Sequence, residues 1–340
     1  LEKSEAGEAG FEMWVGGGLG RTPIIGVPIR KFLPKPHLLS YLEAILRTYN
    51  LLGRRDNIYK ARIKILVQAT GAEKFAAMVE EEWEKIKDGP LYLPQAEIDR
   101  IHRYFAPPAY DKLDDNDPAF ETAKLEHPDF ARWVRANTVR HRVPGYIIAN
   151  VSLKPDGGAP GDASADQMDL LADLAEQYSL NEVRVTHHQN IVFPNVRKRD
   201  LHALWQRLKP AKLATPNLGL VSDIIACPGL DYCNLANARS IPVAQRLSRH
   251  FSDPRKLEDI GELRLNISGC INACGHHHVG HIGILGVDKQ GQEFYQVTLG
   301  GSSKDDASLG KIVGAAFSED DIVPAIDTIV ETYLSQRSDK

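Results

Sequence analysis

The stretches Cys227-Pro-Gly-Leu-Asp-Tyr-Cys233 and Cys270-Ile-Asn-Ala-Cys274 hold all four cysteines of this 340-residue chain. Paired thiols at such short spacings are typical of metal or iron–sulfur sites, and four thiolates are the ligand set of a cubane cluster. Pro228 and Gly229 interrupt regular backbone directly after the first cysteine, which suits a loop folded around a cluster. The pattern therefore predicts an iron–sulfur site.

Three other interpretations of the four cysteines stay open at this point. Disulfides are typical of small secreted domains rather than of a chain long enough to bury an ample core. Structural zinc sites usually use C-x2-4-C pairs, so the spacing between Cys227 and Cys233 is unusual for zinc. Inert buried cysteines are not expected to fall in pairs. The cluster is the favoured interpretation, and zinc is the main alternative.

The second pair of cysteines has a spacing that suits a helical turn. Cys270 and Cys274 are four positions apart, so such a turn would present both sulfur atoms on one face. Gly269 and Gly275 bracket the segment, and Asn272 lies inside it with a side-chain amide that is able to donate a hydrogen bond. We therefore expect a helical turn that carries two ligands and places Asn272 beside the cofactor.

Two longer stretches around these cysteines resemble the siroheme-dependent nitrite and sulfite reductases. They read Asp223-Ile-Ile-Ala-Cys-Pro-Gly-Leu-Asp-Tyr-Cys-Asn-Leu-Ala and Asn266-Ile-Ser-Gly-Cys-Ile-Asn-Ala-Cys-Gly-His-His-His. The resemblance implies that Cys227, Cys233, Cys270 and Cys274 hold a [4Fe–4S] cluster. It also implies that Cys274 is the axial ligand of a siroheme iron, so that one sulfur joins the two cofactors.

A basic segment nearer the N-terminus is similar to a second part of that family. Arg54-Arg-Asp-Asn-Ile-Tyr-Lys-Ala-Arg-Ile-Lys-Ile-Leu-Val resembles the segment that places two basic side chains over the distal face of siroheme. The matching positions are Arg62 and Lys64, which the resemblance makes catalytic. The run Ile63-Lys-Ile-Leu-Val is typical of a strand, on which both side chains would face one side. The alternative is an edge strand with a solvated basic face.

The chemistry that the resemblance implies is the six-electron reduction of sulfite to sulfide, with nitrite reduction to ammonia as the alternative. Siroheme carries eight carboxylates and the substrate is an anion, so both require Arg and Lys. A second fixed charge at Lys64 suits the sulfite dianion better than nitrite. The electron donor would be a ferredoxin or a flavoprotein. A third hypothesis is an iron–sulfur electron-transfer fragment without catalytic activity.

Other candidate site residues lie in turns and at strand ends. Gln189 and Asn190 match the family's siroheme-lining turn, and the alternative is that they only cap a hairpin. Arg140 and Arg142 are candidates for contacts with siroheme carboxylates, although exposed arginines are common. His276, His277, His278 and His281 have a spacing that would suit a second metal, but we favour packing or indirect roles beside the cluster.

Composition sets broad limits on location and partners. Charged residues make up 25% of the chain and hydrophobic residues 43%, which is ordinary for a globular protein. The formal net charge of −4 argues against broad affinity for nucleic acid. No apolar run has membrane-spanning length, and no signal-peptide pattern is present. Reduced thiols and a cluster favour the cytoplasm.

The expected fold class is α+β, with a ferredoxin-like lobe plus siroheme/iron–sulfur half-domains of the nitrite/sulfite reductase type. We expect part of a first siroheme half-domain at 1–105, a surface linker at 106–135, a ferredoxin-like lobe (second repeat) at 136–215, and the cluster half-domain at 216–340. Predicted helices are 38–51, 74–86, 166–179, 199–208 and 320–334. Predicted strands are 11–15, 63–67, 146–153, 182–186, 190–193 and 293–299.

Two further expectations concern the N-terminal part of the chain. The glycine-rich run after Val15 is not a dinucleotide fingerprint, because its last glycine position is occupied by Arg21. The resemblance makes this run a turn beside the cofactor. It also implies that an N-terminal ferredoxin-like lobe of the family is missing from this chain, and that it would be supplied in cis or in trans.

Overall fold

The computed structural model describes residues 2–4 and 6–338. The chain divides into two compact units, one ending at Pro108 and the other beginning at Ala109. No helix within the described residues is long and apolar enough to cross a membrane.

The first unit is a three-stranded antiparallel sheet covered by helices, with strand order β1–β2–β3. Its elements are β1 (Glu2–Lys3), β2 (Ala9–Val15), β3 (Val27–Pro34), α1 (Leu38–Leu52), α2 (Ile63–Thr70), α3 (Ala72–Glu84) and α4 (Gln95–Tyr104). Leu33 from the sheet, Tyr41 from α1 and Phe75 from α3 are fully buried in a common core. The strand predicted at 11–15 and the helices predicted at 38–51 and 74–86 are confirmed.

The strand predicted at 63–67 is wrong, because these residues begin helix α2. The run is apolar at alternating positions and also at helical spacing, so a short sequence of this kind does not determine its own type. Ile63, Leu66 and Val67 follow the helical spacing and pack on the sheet and α3. Packing of this face on the core stabilises the helical conformation of the segment. The helix ends before Gly71, whose backbone has a φ of 84°.

The second unit begins with a ferredoxin-like lobe around a four-stranded antiparallel sheet of order β4–β5–β7–β6. Its elements are α5 (Pro118–Glu126), α6 (Pro128–Asn137), β4 (Thr138–Arg140), β5 (Tyr146–Val151), α7 (Ala165–Tyr178), β6 (Arg184–Val185), β7 (Ile191–Arg197) and α8 (Leu201–Leu208). Strand β5 and the elements after it follow the predicted β-α-β-β-α order.

The predicted linker at 106–135 is wrong over its second half, which forms α5 and α6. Pro118 and Pro128 stand in the first turn of each helix, where proline is tolerated, so they do not interrupt helical structure. Phe130 and Trp133 are fully buried, and both belong to the core of the ferredoxin-like lobe. The segment is therefore part of the lobe.

The rest of the second unit is a five-stranded sheet of order β12–β11–β10–β9–β8 with its own core. Its elements are β8 (Ile225–Ala226), α9 (Ile241–His250), α10 (Pro254–Ile260), β9 (Leu265–Ser268), β10 (Ile282–Lys289), β11 (Gln292–Leu299), β12 (Lys311–Ile312) and α11 (Ile322–Gln336). Strands β8, β9 and β10 are parallel. The C-terminal ends of β8 and β9 therefore lie side by side at the same edge of the sheet. Each of the two cysteine segments follows one of these ends.

Candidate metal centre

The two cysteine loops leave the sheet at neighbouring points. Cys227 directly follows β8, and Cys270 comes two positions after the end of β9. All four thiols are free; Cys227 and Cys270 are buried, and Cys274 is exposed. Partial burial raises the pKa of the Cys274 thiol, and the charges of the other three cysteines raise it further. The four thiols therefore lie close enough together to repel one another's ionised forms.

Glycines allow the two cysteine loops to approach the sheet and each other. A Cβ added at Gly275 would lie 1.8 Å from the Ile267 carbonyl oxygen, and one at Gly269 would lie 2.6 Å from the Ala238 carbonyl oxygen. The Gly269 N–H donates to Cys227 Sγ at 3.1 Å, which links one loop to the other. Hydrogen bonds to cysteine sulfur are one way in which proteins tune iron–sulfur clusters.

The helical turn predicted for Cys270–Cys274 is wrong. Residues 270–275 form bends and turns, and Ala273 has a left-handed backbone with φ 59°. This conformation ends any right-handed turn, and the Asn266 side chain then holds the chain by donating to the Gly275 carbonyl at 3.0 Å. Asn272 is exposed at the tip of the loop. Its predicted role beside the cofactor stays a prediction.

The arrangement of the thiols fits a cluster better than a single ion. Within residues 2–4 and 6–338, no group of three or more His, Cys, Asp or Glu side chains could hold a metal ion. A tetrahedral zinc site needs all its ligands at about 2.0–2.3 Å from one point, whereas each thiolate of a cubane binds a different iron. The cysteine thiols influence one another electrostatically, and a cubane does not require them to meet at one point.

The histidines that follow the cluster loop occupy different environments. His277 is fully buried, and neither of its ring nitrogens has a hydrogen-bond partner in the part of the chain that the structure describes. Burial, with a smaller contribution from His278, lowers the pKa of His277 to about 3. His281 Nδ1 accepts the Arg264 N–H at 3.2 Å. His277 and His281 thus lie in packed surroundings beside the centre.

Arg62 and Lys64 lie in the first unit, at the start of α2. Arg62 precedes the helix and donates to the Ala61 carbonyl at 2.9 Å. Lys64 Nζ donates to the carbonyls of Leu19 and Thr22, at 2.9 and 2.7 Å, in the glycine-rich turn. Arg62 has extended backbone outside the helix and Lys64 lies in its first turn, so the strand on which the two side chains would share a face is not formed.

The charges of Arg62 and Lys64 are not neutralised within the described ranges 2–4 and 6–338. Neither side chain has a carboxylate within ion-pair distance there, although ion pairs are numerous on the surrounding helices. An unpaired cation held by backbone carbonyls is suited to attract an anion. Their assignment as catalytic residues stays a prediction.

Gln189 and Asn190 lie in the turn between β6 and β7 and contact the segment that leads to Cys227. The Gln189 side chain donates to the Ala226 carbonyl at 2.8 Å and accepts the Ala226 N–H at 3.1 Å. The buried Asn190 side chain donates to Asp223 Oδ1 at 3.1 Å. Both residues do belong to a hairpin turn, as the alternative interpretation stated, and their proposed contacts with siroheme stay predictions.

Arg140 and Arg142 are exposed at and just after the end of β4. The pKa of Asp115 is lowered mainly by its hydrogen bond to Lys198, with a small contribution from Arg140. Neither arginine forms an ion pair with a described residue. Their predicted contacts with siroheme carboxylates remain predictions.

The sequence did not reveal a buried ion pair close to the first cysteine. Lys154 Nζ lies 2.6 Å from Asp223 Oδ1, and the two side chains are only 2% and 9% exposed. Burial lowers the pKa of Lys154, and Asp223 opposes that effect. Asp223 begins the stretch that resembles the reductases, but no pattern marks Lys154 as its partner.

The fold and site define an iron–sulfur protein in which a ferredoxin-like lobe adjoins a sheet with four clustered cysteines. Residues 2–87 and 220–340 match the family described as "Nitrite and sulphite reductase 4Fe-4S domain". Residues 137–211 match the "Nitrite/Sulfite reductase ferredoxin-like half domain". The chain therefore belongs to the nitrite and sulfite reductase family.

Comparison with individual proteins gives the same result. The chain is 26% identical to a chloroplastic ferredoxin–nitrite reductase of Arabidopsis thaliana, over 97% of this chain and 51% of that protein. It is also 26% identical to sulfite reductase [ferredoxin] 2 of Mycolicibacterium paratuberculosis, over 97% of this chain and 54% of that protein. This chain spans about half the length of these curated relatives.

A solved structure of the Mycobacterium tuberculosis NirA protein shares the fold. It superimposes with a TM-score of 0.74 at 25% identity, covering 100% of this chain and 57% of NirA. Family membership implies a [4Fe–4S] cluster and siroheme as cofactors. The four clustered cysteines fit the first of these directly.

Proposed function

We propose that this chain is the cluster-bearing part of an oxidoreductase that reduces sulfite to sulfide at a siroheme coupled to a [4Fe–4S] cluster. The observation that carries the proposal is the convergence of four free thiols at the ends of β8 and β9, in a chain of the nitrite and sulfite reductase family. Nitrite reduction to ammonia is the second candidate.

The exposure of Cys274 supports a role as the link between the two cofactors. Two of the other proposed ligands, Cys227 and Cys270, are buried, so their sulfurs are less accessible to a second cofactor. Cys274 lies on an exposed turn, where its sulfur is accessible to a second metal centre. A thiolate has enough lone pairs to bind a cluster iron and a haem iron together, and this shortens the electron path.

Arg62 and Lys64 would act on the substrate through charge and proton transfer. Conversion of sulfite to hydrosulfide takes up six electrons and seven protons and releases three waters. Siroheme, when bound, supplies the electrons at its iron. Lys64 carries no carboxylate partner within the described chain, so its charge is available to hold a sulfite oxygen and to donate a proton as water leaves.

The relatives support ferredoxin as the electron donor, since the plant and mycobacterial relatives are named for it. A flavoprotein is the alternative donor. The same relatives include both nitrite and sulfite reductases, so the choice of sulfite rests on Lys64. A second fixed positive charge stabilises a dianion more than a monoanion, by about 1 kcal/mol for the additional unit of charge when the charges are about 4 Å apart in bulk water.

The test is turnover of sulfite and nitrite by the enzyme assembled with both cofactors, using reduced methyl viologen as the electron source. We expect a higher kcat/KM for sulfite than for nitrite. Lys64→Gln should lower the sulfite value by about 100-fold, because removal of one charged donor to a developing oxyanion typically has that effect. The nitrite value should fall less.

Lys60→Gln is the matched control, because Lys60 is exposed in the same unit and lies only four positions earlier. It should leave both rates unchanged. Higher kcat/KM for nitrite would overturn the choice of sulfite and favour the second candidate. If the fully assembled centre turned over neither oxyanion, the proposed reductase activity would be overturned, and the electron-transfer function would be favoured.

A further inference from the structure

One turn of the ferredoxin-like lobe reaches both strands that lead to the cluster cysteines. This turn, residues 186–190, joins β6 to β7 and is closed by the Thr186 N–H donating to the Asn190 carbonyl at 2.9 Å. Gln189 has a left-handed backbone with φ 58°. The rare conformation is maintained by the surrounding structure, and it directs the side chains of the turn towards the cluster half of the unit.

Gln189 forms the first contact, on the strand that precedes Cys227. Strand β8 is the edge strand of its sheet, and β9 is its neighbour on the inner side. The N–H and C=O of one residue point to the same side of a strand, and those of Ala226 point to the outer edge. The Gln189 amide bonds to both of them, at 3.1 and 2.8 Å, and so takes the place of a missing neighbouring strand.

A buried charge cluster forms the second contact, upstream of the same strand. Asp223 Oδ1 accepts from the Asn190 amide at 3.1 Å and from Lys154 Nζ at 2.6 Å. Lys154 Nζ also donates to the His188 carbonyl at 2.5 Å. Removal of one partner from a buried pair leaves an uncompensated charge, so these contacts resist separation of the turn from Asp223.

His188 forms the third contact, on the strand that precedes Cys270. Arg264 Nη1 lies 2.8 Å from His188 Nε2, and Arg264 is the residue immediately before β9. Because the guanidinium only donates, Nε2 of the imidazole is the acceptor. The same turn therefore contacts the end of β8 through Gln189 and the start of β9 through His188.

We propose that the turn at residues 186–190 positions the two cluster strands relative to each other, with Gln189 as its principal positioning residue. The register of β8 against β9 sets the distance between Cys227 Sγ and the Gly269 N–H, which is 3.1 Å. Hydrogen bonds of this kind tune the stability and potential of a cluster. The inference goes beyond the proposed function, because it holds whichever oxyanion is reduced.

Gln189→Leu in the cluster-loaded chain tests this directly. Leucine has a similar size but no hydrogen-bonding groups, so Ala226 would lose both partners. We expect iron to be lost to a chelator about tenfold faster, which is the lower end of the effect of removing residues that support metal ligands. We also expect altered g-values in the EPR spectrum of the reduced cluster. Gln206→Leu, at an exposed glutamine of α8, is the control and should match the wild type.

Gln189→Glu preserves the shape of the side chain, and it provides the test if the leucine variant does not fold. Its carboxylate accepts the Ala226 N–H but repels the Ala226 carbonyl, so iron loss should again be faster than in the wild type. Wild-type chelation rates and EPR spectra in both variants would overturn the proposal. A lower siroheme content with an unchanged cluster would also overturn it and would make Gln189 a residue that lines siroheme. Neither measurement depends on turnover.

Discussion

Cys274 and His277 are three positions apart, yet their environments are opposite. Cys274 is exposed, whereas the imidazole of His277 is enclosed without a hydrogen-bond partner among the described residues. A protonated imidazole in such a place would be an unpaired buried charge. This is why burial lowers the pKa of His277 to about 3, and the lowered pKa makes stability depend on pH.

The first prediction concerns that dependence. His277 has a folded-state pKa of about 3 and an unfolded value near 6.5, so the unfolded state takes up the proton first. Its contribution to stability is complete above pH 6.5 and is lost as the pH falls. Between pH 7.5 and 5.5 the free energy of unfolding should fall by about 1.4 kcal/mol on account of this residue.

Urea titrations of the holoprotein at both pH values measure this effect. His277→Gln should remove that part of the pH dependence, whereas His102→Gln, at an exposed histidine of α4, should leave it unchanged. Equal pH dependence in the wild type and His277→Gln would show that the buried imidazole does not govern acid stability.

Single residues also show which parts of the site were predictable. The four cysteines carry their chemistry in their spacing, and the structure brings them together. The partners of Gln189 lie 37 positions away along the chain, and the pair of Lys154 and Asp223 spans 69 positions. Such contacts depend on how the lobe packs against the sheet, which no local pattern specifies.

Helices with a long run of apolar residues at helical spacing were predicted well. Helices that begin with proline or contain only a short apolar run were predicted poorly. Helices α1, α3, α7 and α11 have sustained apolar faces and lie close to their predicted positions. Helix α2 was predicted as a strand, because a five-residue apolar run has no unique period. Helix α6 was predicted as linker, although Phe130 and Trp133 have helical spacing.

The second prediction belongs to α6. Trp133 is fully buried, so Trp133→Ala should lower the free energy of unfolding by about 3–5 kcal/mol through loss of apolar contacts and formation of a cavity. Leu125→Ala, on the exposed side of α5, should change it by less than about 0.5 kcal/mol. Calorimetry measures the change in the free energy of unfolding for both variants. An equally small change in the two would show that α6 is not part of the lobe's core.

At the scale of the whole molecule, the fold class followed from the sequence, and the organisation followed only in part. The α+β class and the ferredoxin-like lobe are confirmed by the sheet order β4–β5–β7–β6 and by the family match over residues 137–211. The parallel arrangement of β8 and β9 was not predicted, since two-residue strands such as β8 leave little pattern. That arrangement explains why cysteines so distant in sequence meet at one edge.

The most direct test of the central claim is an anaerobic visible absorption spectrum, with iron, zinc and acid-labile sulfide counts. It compares this chain with Cys274→Ser, both made in cells that overproduce siroheme. The account predicts siroheme bands and about five irons per chain in the wild type, four in the cluster and one in the haem. The variant should lose the cluster and the coupled haem together. Zinc in place of iron, or coupled spectra that persist in Cys274→Ser, would contradict it.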